Sequence, residues 1–303
     1  MTSTPASEPP PPRLGSQALT GVVLRVSAMF FMAGLAALVK WCGARGVGVM
    51  ELMFFRNAFA LVPIGIYIWR TCGFGELRTR RPLGHATRSV VGLTGMFLGF
   101  NALQHLPLTE ATAFSFAAPL FVTALSVPLL REPVGRHGWG AVLVGFVGVM
   151  IMIQPEPGHV NLVGAAFALS GAAAAAFASI TIREIGRTES GATITLYYSI
   201  AGCAVGLLSL PFGWTIPDLP TLGALVLLGL VGGIGQLLLT ESLRAAPVGV
   251  VAPFDYTQLV WASILGLVVW GELPRPATLA GAVIVAVSGV YIVLRETRRF
   301  RGA

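Results

Sequence analysis

Two stretches of this chain carry scattered polar side chains through otherwise apolar runs. Thr112, Ser115, Pro119 and Thr123 recur at three- and four-residue steps, as do Asp255, Gln258 and Ala262. That spacing puts each set on one face of a helix. Hydroxyls, an amide and a carboxylate on two such faces can hydrogen-bond a small polar ligand, and Asp255 adds a group that holds a cation or a proton. The complementary charge is Arg56, beside Asn57, whose guanidinium can grip a carboxylate through two parallel hydrogen bonds or pair with Asp255. Tyr256 offers a hydroxyl and a ring face next to Asp255. Trp261 lies well inside the same run, where lining a cavity, facing lipid and packing are all open to it.

Ser115 and Asp255 are 140 residues apart, and that offset recurs. It also places Pro107 on Pro247, Leu103 on Leu243, Phe114 on Phe254, Leu125 on Leu265, Glu132 on Glu272 and Val147 on Val287, without a gap. The chain is therefore built twice.

The elements that must position these residues follow from composition. The 303 residues are 55% hydrophobic and 11% charged, outside the mixture used by soluble domains. A hydrocarbon layer of ~30 Å needs ~20 apolar residues in a helix. Ten stretches qualify, at roughly 19–39, 47–69, 86–105, 108–130, 137–153, 160–182, 190–211, 219–240, 248–270 and 276–294. An all-α integral membrane protein with ten transmembrane helices is expected. Five spans per half is an odd number, so the second half enters from the opposite side and the two five-helix repeats are inverted. The organisation reads as a cytoplasmic disordered tail at 1–18, a first repeat at 19–153, a second at 160–294 and a basic cytoplasmic tail at 295–303.

Depth then gives Asp255 its meaning. Eight residues after Pro247 is about 12 Å along a helix, close to mid-membrane, where a carboxylate is costly unless it faces a polar cavity, a cation or a proton. Arg56 lies about nine residues into the second span. Arg25 and Arg88 sit near enough to one edge to snorkel, and a structural role is expected for them unless a cavity reaches them. Pro119 and Pro253 each remove a helical N–H, which frees a carbonyl for a ligand or only kinks the helix; the kink is the simpler reading. Glu132 and Glu272, in short loops after the paired spans, read as caps of the next helix.

Charge distribution sets orientation. With a cytoplasmic N-terminus, fourteen arginines fall on inside loops and tails, and only Lys40, Arg45 and Arg275 outside. Both termini are thus expected in the cytoplasm, in a bacterial-type inner membrane. The net charge of +7 then answers to anionic lipid headgroups and not to nucleic acid. Residues 2–18 lack the apolar core of a cleaved signal peptide. Five tryptophans, Trp41, Trp69, Trp139, Trp214 and Trp270, fall at span ends as interfacial anchors, and glycines such as Gly95, Gly148 and Gly235 recur at helical spacing for close packing within the chain. Cys42, Cys72 and Cys203 have no metal-ligand spacing, and His85, His105, His137 and His159 form no cluster, so neither a metal nor a cofactor is expected. A membrane-embedded enzyme is correspondingly disfavoured. The sole lysine, Lys40, lies outside any phosphate-binding loop, which disfavours an ATP-driven pump in this chain. A passive channel or scaffold is separated from a carrier by saturable flux.

The runs ALQHLPLTEATAFSFAAPLF (102–121) and APFDYTQLVWASILGLVVWGELP (252–274) resemble the paired signature segments of EamA-type carriers in the drug/metabolite transporter superfamily. ELMFFRNAFA (51–60), with Arg56, resembles that family's second span. The resemblance covers about residues 20–295 and implies ten helices in two inverted repeats around a central cavity flanked by the fourth and ninth spans. It implies a secondary carrier with alternating access for a small polar or zwitterionic metabolite: an amino acid or related compound, riboflavin, S-adenosylmethionine or an opine-type metallophore. On the residues themselves, such a carrier would use Asp255 to bind substrate or a proton and Arg56 to meet an anionic group, with membrane lipids, the substrate and protons as partners.

Overall fold

In a computed structural model of the chain, residues 14–71, 79, 81–130, 136–153, 161–186, 188–246 and 251–301 are described. Their secondary structure is helical: α1 (Leu14–Gly43), α2 (Val49–Thr71), α3 (Pro82–His105), α4 (Leu108–Ser115), α5 (Ala118–Leu130), α6 (Arg136–Ile153), α7 (Leu162–Ile185), α8 (Gly191–Leu207), α9 (Leu219–Ala245), α10 (Thr257–Trp270) and α11 (Pro276–Arg301). Short 3-10 segments occupy Leu210–Phe212 and Ala252–Tyr256, and no strand occurs among the described residues. Arg13, Cys72, Arg78, Arg80, Arg131, Glu132, His159 and Pro247 lie outside them.

Polar side chains start several helices by taking orphan amide protons. Asn161 accepts from Gly164 N at 3.1 Å, Ser190 from Thr193 N at 3.2 Å and Asp218 from Thr221 N at 3.1 Å. The left-handed Gly271 (φ 67°) ends α10. Six helical stretches are long and apolar enough to cross a membrane, within α1, α2, α4–α5, α7, α8 and α9. Shorter apolar stretches lie in α6, α10 and α11. The chain is an all-α, multi-pass membrane protein.

Packing obeys the repeat. Exchanging α1 with α7, α2 with α8, α3 with α9, α4–α5 with the Ala252–Trp270 segment, and α6 with α11 carries each major contact onto another. The pair α1·α9 becomes α7·α3, while α6·α11 and α2·α8 become themselves. The sense of the exchange shows at the α6·α11 crossing. Ser288 Oγ donates to the Ala141 carbonyl, and a Cβ on Gly148 would lie 2.8 Å from the Gly281 carbonyl oxygen. The numbering falls along one helix as it rises along the other, and adding 140 to 141 and 148 gives 281 and 288. Equivalent helices therefore meet antiparallel about a two-fold axis, and the repeats are inverted.

Small residues permit these crossings. Gly95 lies against Ala174 and Ala175, Gly235 faces Phe31 and Met32, and Gly233 faces Ala60 and Pro63. At the span ends, Trp69 and Trp139 are exposed, the Arg45 guanidinium stacks on Trp41, and Trp214 Nε1 donates to Ser209 at 2.9 Å.

Candidate functional site

The fourth and ninth spans, expected as continuous helices, are each interrupted at the same place in the repeat. After Ser115 the amides of Phe116 and Ala117 reach back only three residues, to Ala113 (3.2 Å) and Phe114 (3.0 Å), and α5 starts afresh at Ala118 with Pro119 as its second residue. In the other repeat the 3-10 segment Ala252–Tyr256, with Pro253 near its start, gives way to α10 at Thr257. Proline suits the first turn of a helix, where no N–H partner is required, so it marks a restart and not merely a kink. The two interruptions touch: Phe116 and Tyr256, equivalent under the 140-residue offset, pack edge to face with centroids 4.8 Å apart.

Two cavities lie on either side of these breaks and share Met32, Ser115, Ala175 and Gln258 in their walls. One, of about 250 Å³, is lined by Leu35, Met96, Phe100, Ala111 and Thr112, toward the end of the bundle where α1 finishes. The other, of about 400 Å³, is lined by Arg25, Pro119, Leu239, Asp255 and Tyr256, toward the end where α1 begins. Ser115 and Gln258 line both cavities, Thr112 the smaller, and Asp255 and Tyr256 the larger. The Thr112 and Ser115 hydroxyls donate to the carbonyls of Leu108 (2.8 Å) and Thr112 (2.6 Å), which leaves their oxygens able to accept from a ligand.

Asp255 pairs with Arg25, not Arg56. Arg25 Nε donates to one carboxylate oxygen and Nη2 to the other at 2.7 Å, while Nη1 lies 3.4 Å from Ser242 Oγ. The Arg25 side chain is 8% exposed and that of Asp255 36%, so the acid still presents an open side to the cavity. This bidentate bond ties α1 to the broken span across 230 residues of sequence. Because the cavity reaches Arg25, that arginine is part of the site and does not snorkel.

Arg56 belongs to a second polar cluster. Buried to 6% exposure, it donates from Nη1 to Asn57 Oδ1 at 3.0 Å, and its guanidinium carbon lies 5.8 Å from the Tyr198 ring centre. The Arg88 guanidinium lies over the same ring at 4.3 Å. Trp261 stands apart from both, packed edge to face on Phe30 at 5.3 Å. Among the described residues no group of three His, Cys, Asp or Glu gathers as a metal would need.

Where α1 ends, the bundle is tied shut by ionic contacts. Lys40 pairs with Glu272, whose other oxygen accepts from Leu108 N at 3.1 Å; Arg275 Nε donates to Glu110 at 2.7 Å. Glu272 is a cap as expected, but of α4 in the opposite repeat and not of the following helix. The two-fold lays the end of α10 beside the start of α4, within hydrogen-bond reach of the Leu108 amide.

Sequence reasoning placed the acid and missed its partner; of the adjacent Tyr197 and Tyr198, only one of which can face a site on a helix, it did not choose Tyr198, and it did not place Arg88 beside Arg56. The one available signal was the match of polar depth between spans.

The EamA-like transporter family model matches residues 19–154 and again 162–295. An S-adenosylmethionine uptake transporter of Rickettsia bellii (strain RML369-C) is 31% identical over 264 residues, covering 86% of this chain and 88% of that one. The pseudopaline exporter CntI of Pseudomonas aeruginosa (strain UCBPP-PA14) is 28% identical over 284 residues, covering 92% and 97%. A crystal structure 20% identical in sequence superposes with a TM-score of 0.65 over 93% of this chain and 99% of the other, so the two share a fold. With its sequence matched twice over by one family model, and its two halves folded as inverted copies around a polar centre, this chain belongs to the EamA-like transporter family.

Proposed function

We propose that the chain is a secondary carrier that moves a small polar or zwitterionic organic metabolite across the cytoplasmic membrane by alternating access. The supporting observation is the pair of cavities on either side of symmetrically broken helices, with a bidentate Asp255–Arg25 pair in the wall of the larger one. With both termini in the cytoplasm, the Lys40–Glu272 and Arg275–Glu110 contacts close the outer end, and the larger cavity lies on the inner side. A cationic group of the cargo, or a proton, competes with Arg25 for Asp255. Freeing α1 from the broken span is then coupled to binding, which is how differential affinity biases one facing state over the other. In this reading the polar centre holds cargo and breaks no bond.

Relatives with names for S-adenosylmethionine uptake and for pseudopaline export make a sulfonium amino acid and an opine-type metallophore the first cargoes to try; amino acids and riboflavin follow. Gradients and coupling set the direction. The test is mass spectrometry of cells and medium for strains making the wild type, Asp255→Asn or no carrier. A compound that accumulates in cells, or leaves them, only with the wild type names the cargo and the direction. Undiminished gradient-driven flux by Asp255→Asn would sink the role of that carboxylate, and flux that never saturates would indicate a channel instead.

A further inference from the structure

Arg56 and Arg88 share one tyrosine ring, and no carboxylate pairs with either guanidinium among the described residues. Arg56 Nε and Arg88 Nε and Nη1 are buried without a hydrogen-bond acceptor, as is the hydroxyl of Ser199, the residue after Tyr198. An uncompensated buried cation is costly, and two of the same sign near one another cost more. The surroundings hold the arrangement in place. Asn57, fully buried, accepts from Arg56 and donates to the Met53 carbonyl at 2.7 Å. Tyr198 Oη donates to the Gly92 carbonyl at 3.3 Å, and the bare Cα of Gly92 leaves the room that the Arg88 guanidinium occupies. The donors are fixed, fork-shaped and aimed at an acceptor that the protein itself does not supply.

We infer that Arg56 and Arg88, with Tyr198 between them, form an anion-binding site that takes a carboxylate of the transported metabolite. The site adjoins the smaller cavity. Asn57 Nδ2 lies 3.7 Å from Met96 Sδ, Met96 lines that cavity, and a Cβ on Gly232 would lie 3.4 Å from both Arg56 Nε and Leu35 Cδ1, another lining atom. Met96, which approaches Asn57 and lines the cavity, is an unbranched side chain that can swing aside. Two guanidinium groups select a planar carboxylate over a neutral amide, because each N–H finds a full acceptor only on the charged group. The cargo is therefore held at two separate points, a cationic or protonated group at Asp255 and an anionic group at the arginine pair. This inference rests on the carrier reading for the identity of the occupant but not for the existence of the site.

The experiment uses the full chain in phosphatidylcholine nanodiscs, with sodium succinate as the carboxylate probe, succinamide as its neutral match and phosphatidylglycerol discs without succinate as the lipid arm. Succinate should raise the wild-type Tm saturably, by about 3 °C or more, as a ligand of the folded state does. It should also slow phenylglyoxal modification of Arg88, mapped by mass spectrometry, by about fivefold or more. Succinamide should do neither. The Tm response should vanish in Arg56→Gln and Arg88→Gln, recover in part in Arg88→Lys, and persist in Arg136→Gln at an exposed position.

Should the glutamine variants fail to fold, protection of Arg88 in the wild type decides alone. Absence of both responses in the wild type overturns the site, as does a response that persists in both glutamine variants. Protection by phosphatidylglycerol equal to that by succinate assigns the pair to a lipid headgroup and overturns the cargo assignment. Succinate binding without any metabolite flux in cells would leave the site standing and remove the carrier reading instead.

Discussion

Asp255 is held by two nitrogens of one guanidinium, so each partner is the main compensation for the other's charge. Removing one member of a buried pair costs about 3–5 kcal/mol, and the open side of Asp255 scales that down to about 1–3 kcal/mol here. Asp255→Asn and Arg25→Gln should each lower the Tm of the purified protein, and the double variant should be more stable than either single one. Additive losses in that cycle would show that the two side chains stabilise the bundle independently. In transport, both single variants should lose concentrative flux. Sequence depth was enough to single out Asp255, because a carboxylate so far from either end of its span needs a partner. Depth could not choose among Arg25, Arg56 and Arg88: all three lie within the expected spans, and which arginine turns toward the acid depends on helix rotation and neighbour order, set by packing between residues far apart in sequence. Trp261, whose role rests on the same question of helix rotation, packs edge to face on Phe30.

The broken spans are the elements that set the site, and they explain why a reading by hydropathy alone ran straight through them. Apolar content stays high across residues 108–130 and 252–270, while the interruption is a matter of a few backbone hydrogen bonds shortened from four residues to three. At the far end of the same spans, Glu272 accepts the Leu108 amide and pairs with Lys40. Glu272→Gln keeps the shape and removes the ion pair, a change worth roughly 1 kcal/mol for a partly exposed pair. It should shift the balance of facing states about fivefold toward opening at that end. Labelling of a cysteine placed at Ala111, in the smaller cavity, by an impermeant maleimide should accelerate by a similar factor in a background lacking the three native cysteines. An unchanged rate would mean that the contact is not a latch. The α6·α11 crossing offers a contrasting test. A methyl on Gly148 would stand 2.8 Å from the Gly281 carbonyl oxygen, and overpacking of that kind costs about 1–3 kcal/mol. Gly148→Ala should therefore lower the Tm by several degrees, whereas Gly65→Ala, with nothing within 4 Å of the added carbon, should leave it unchanged or raise it.

For the whole molecule, the two-fold repeat was legible because a gapless offset of 140 residues survives in proline, glutamate and aromatic positions. The pairing order of the helices was not, since sequence periodicity says which elements are equivalent and nothing about which become neighbours. Orientation rests on the arginine bias. Alkaline phosphatase fused after Ala303 should be inactive and a fluorescent protein there bright, while phosphatase inserted between α8 and α9 should be active. The reverse pattern would turn the bundle over and place the Lys40 end in the cytoplasm.

The α6·α11 crossing maps onto itself when the repeats are exchanged, and so does α2·α8. A contact with that property is one that two separate half-length chains, inserted in opposite orientations, form as a homodimer. The peptide joining α6 to α7 then acts as a tether that raises effective concentration, not as a part of the architecture. Joined in one chain, the two halves need not be identical: position 115 carries a serine where 255 carries an aspartate, and Arg56 has Leu196 at the equivalent position. The polar chemistry of the centre thus lies where the two halves differ, while the packing that holds it is common to both.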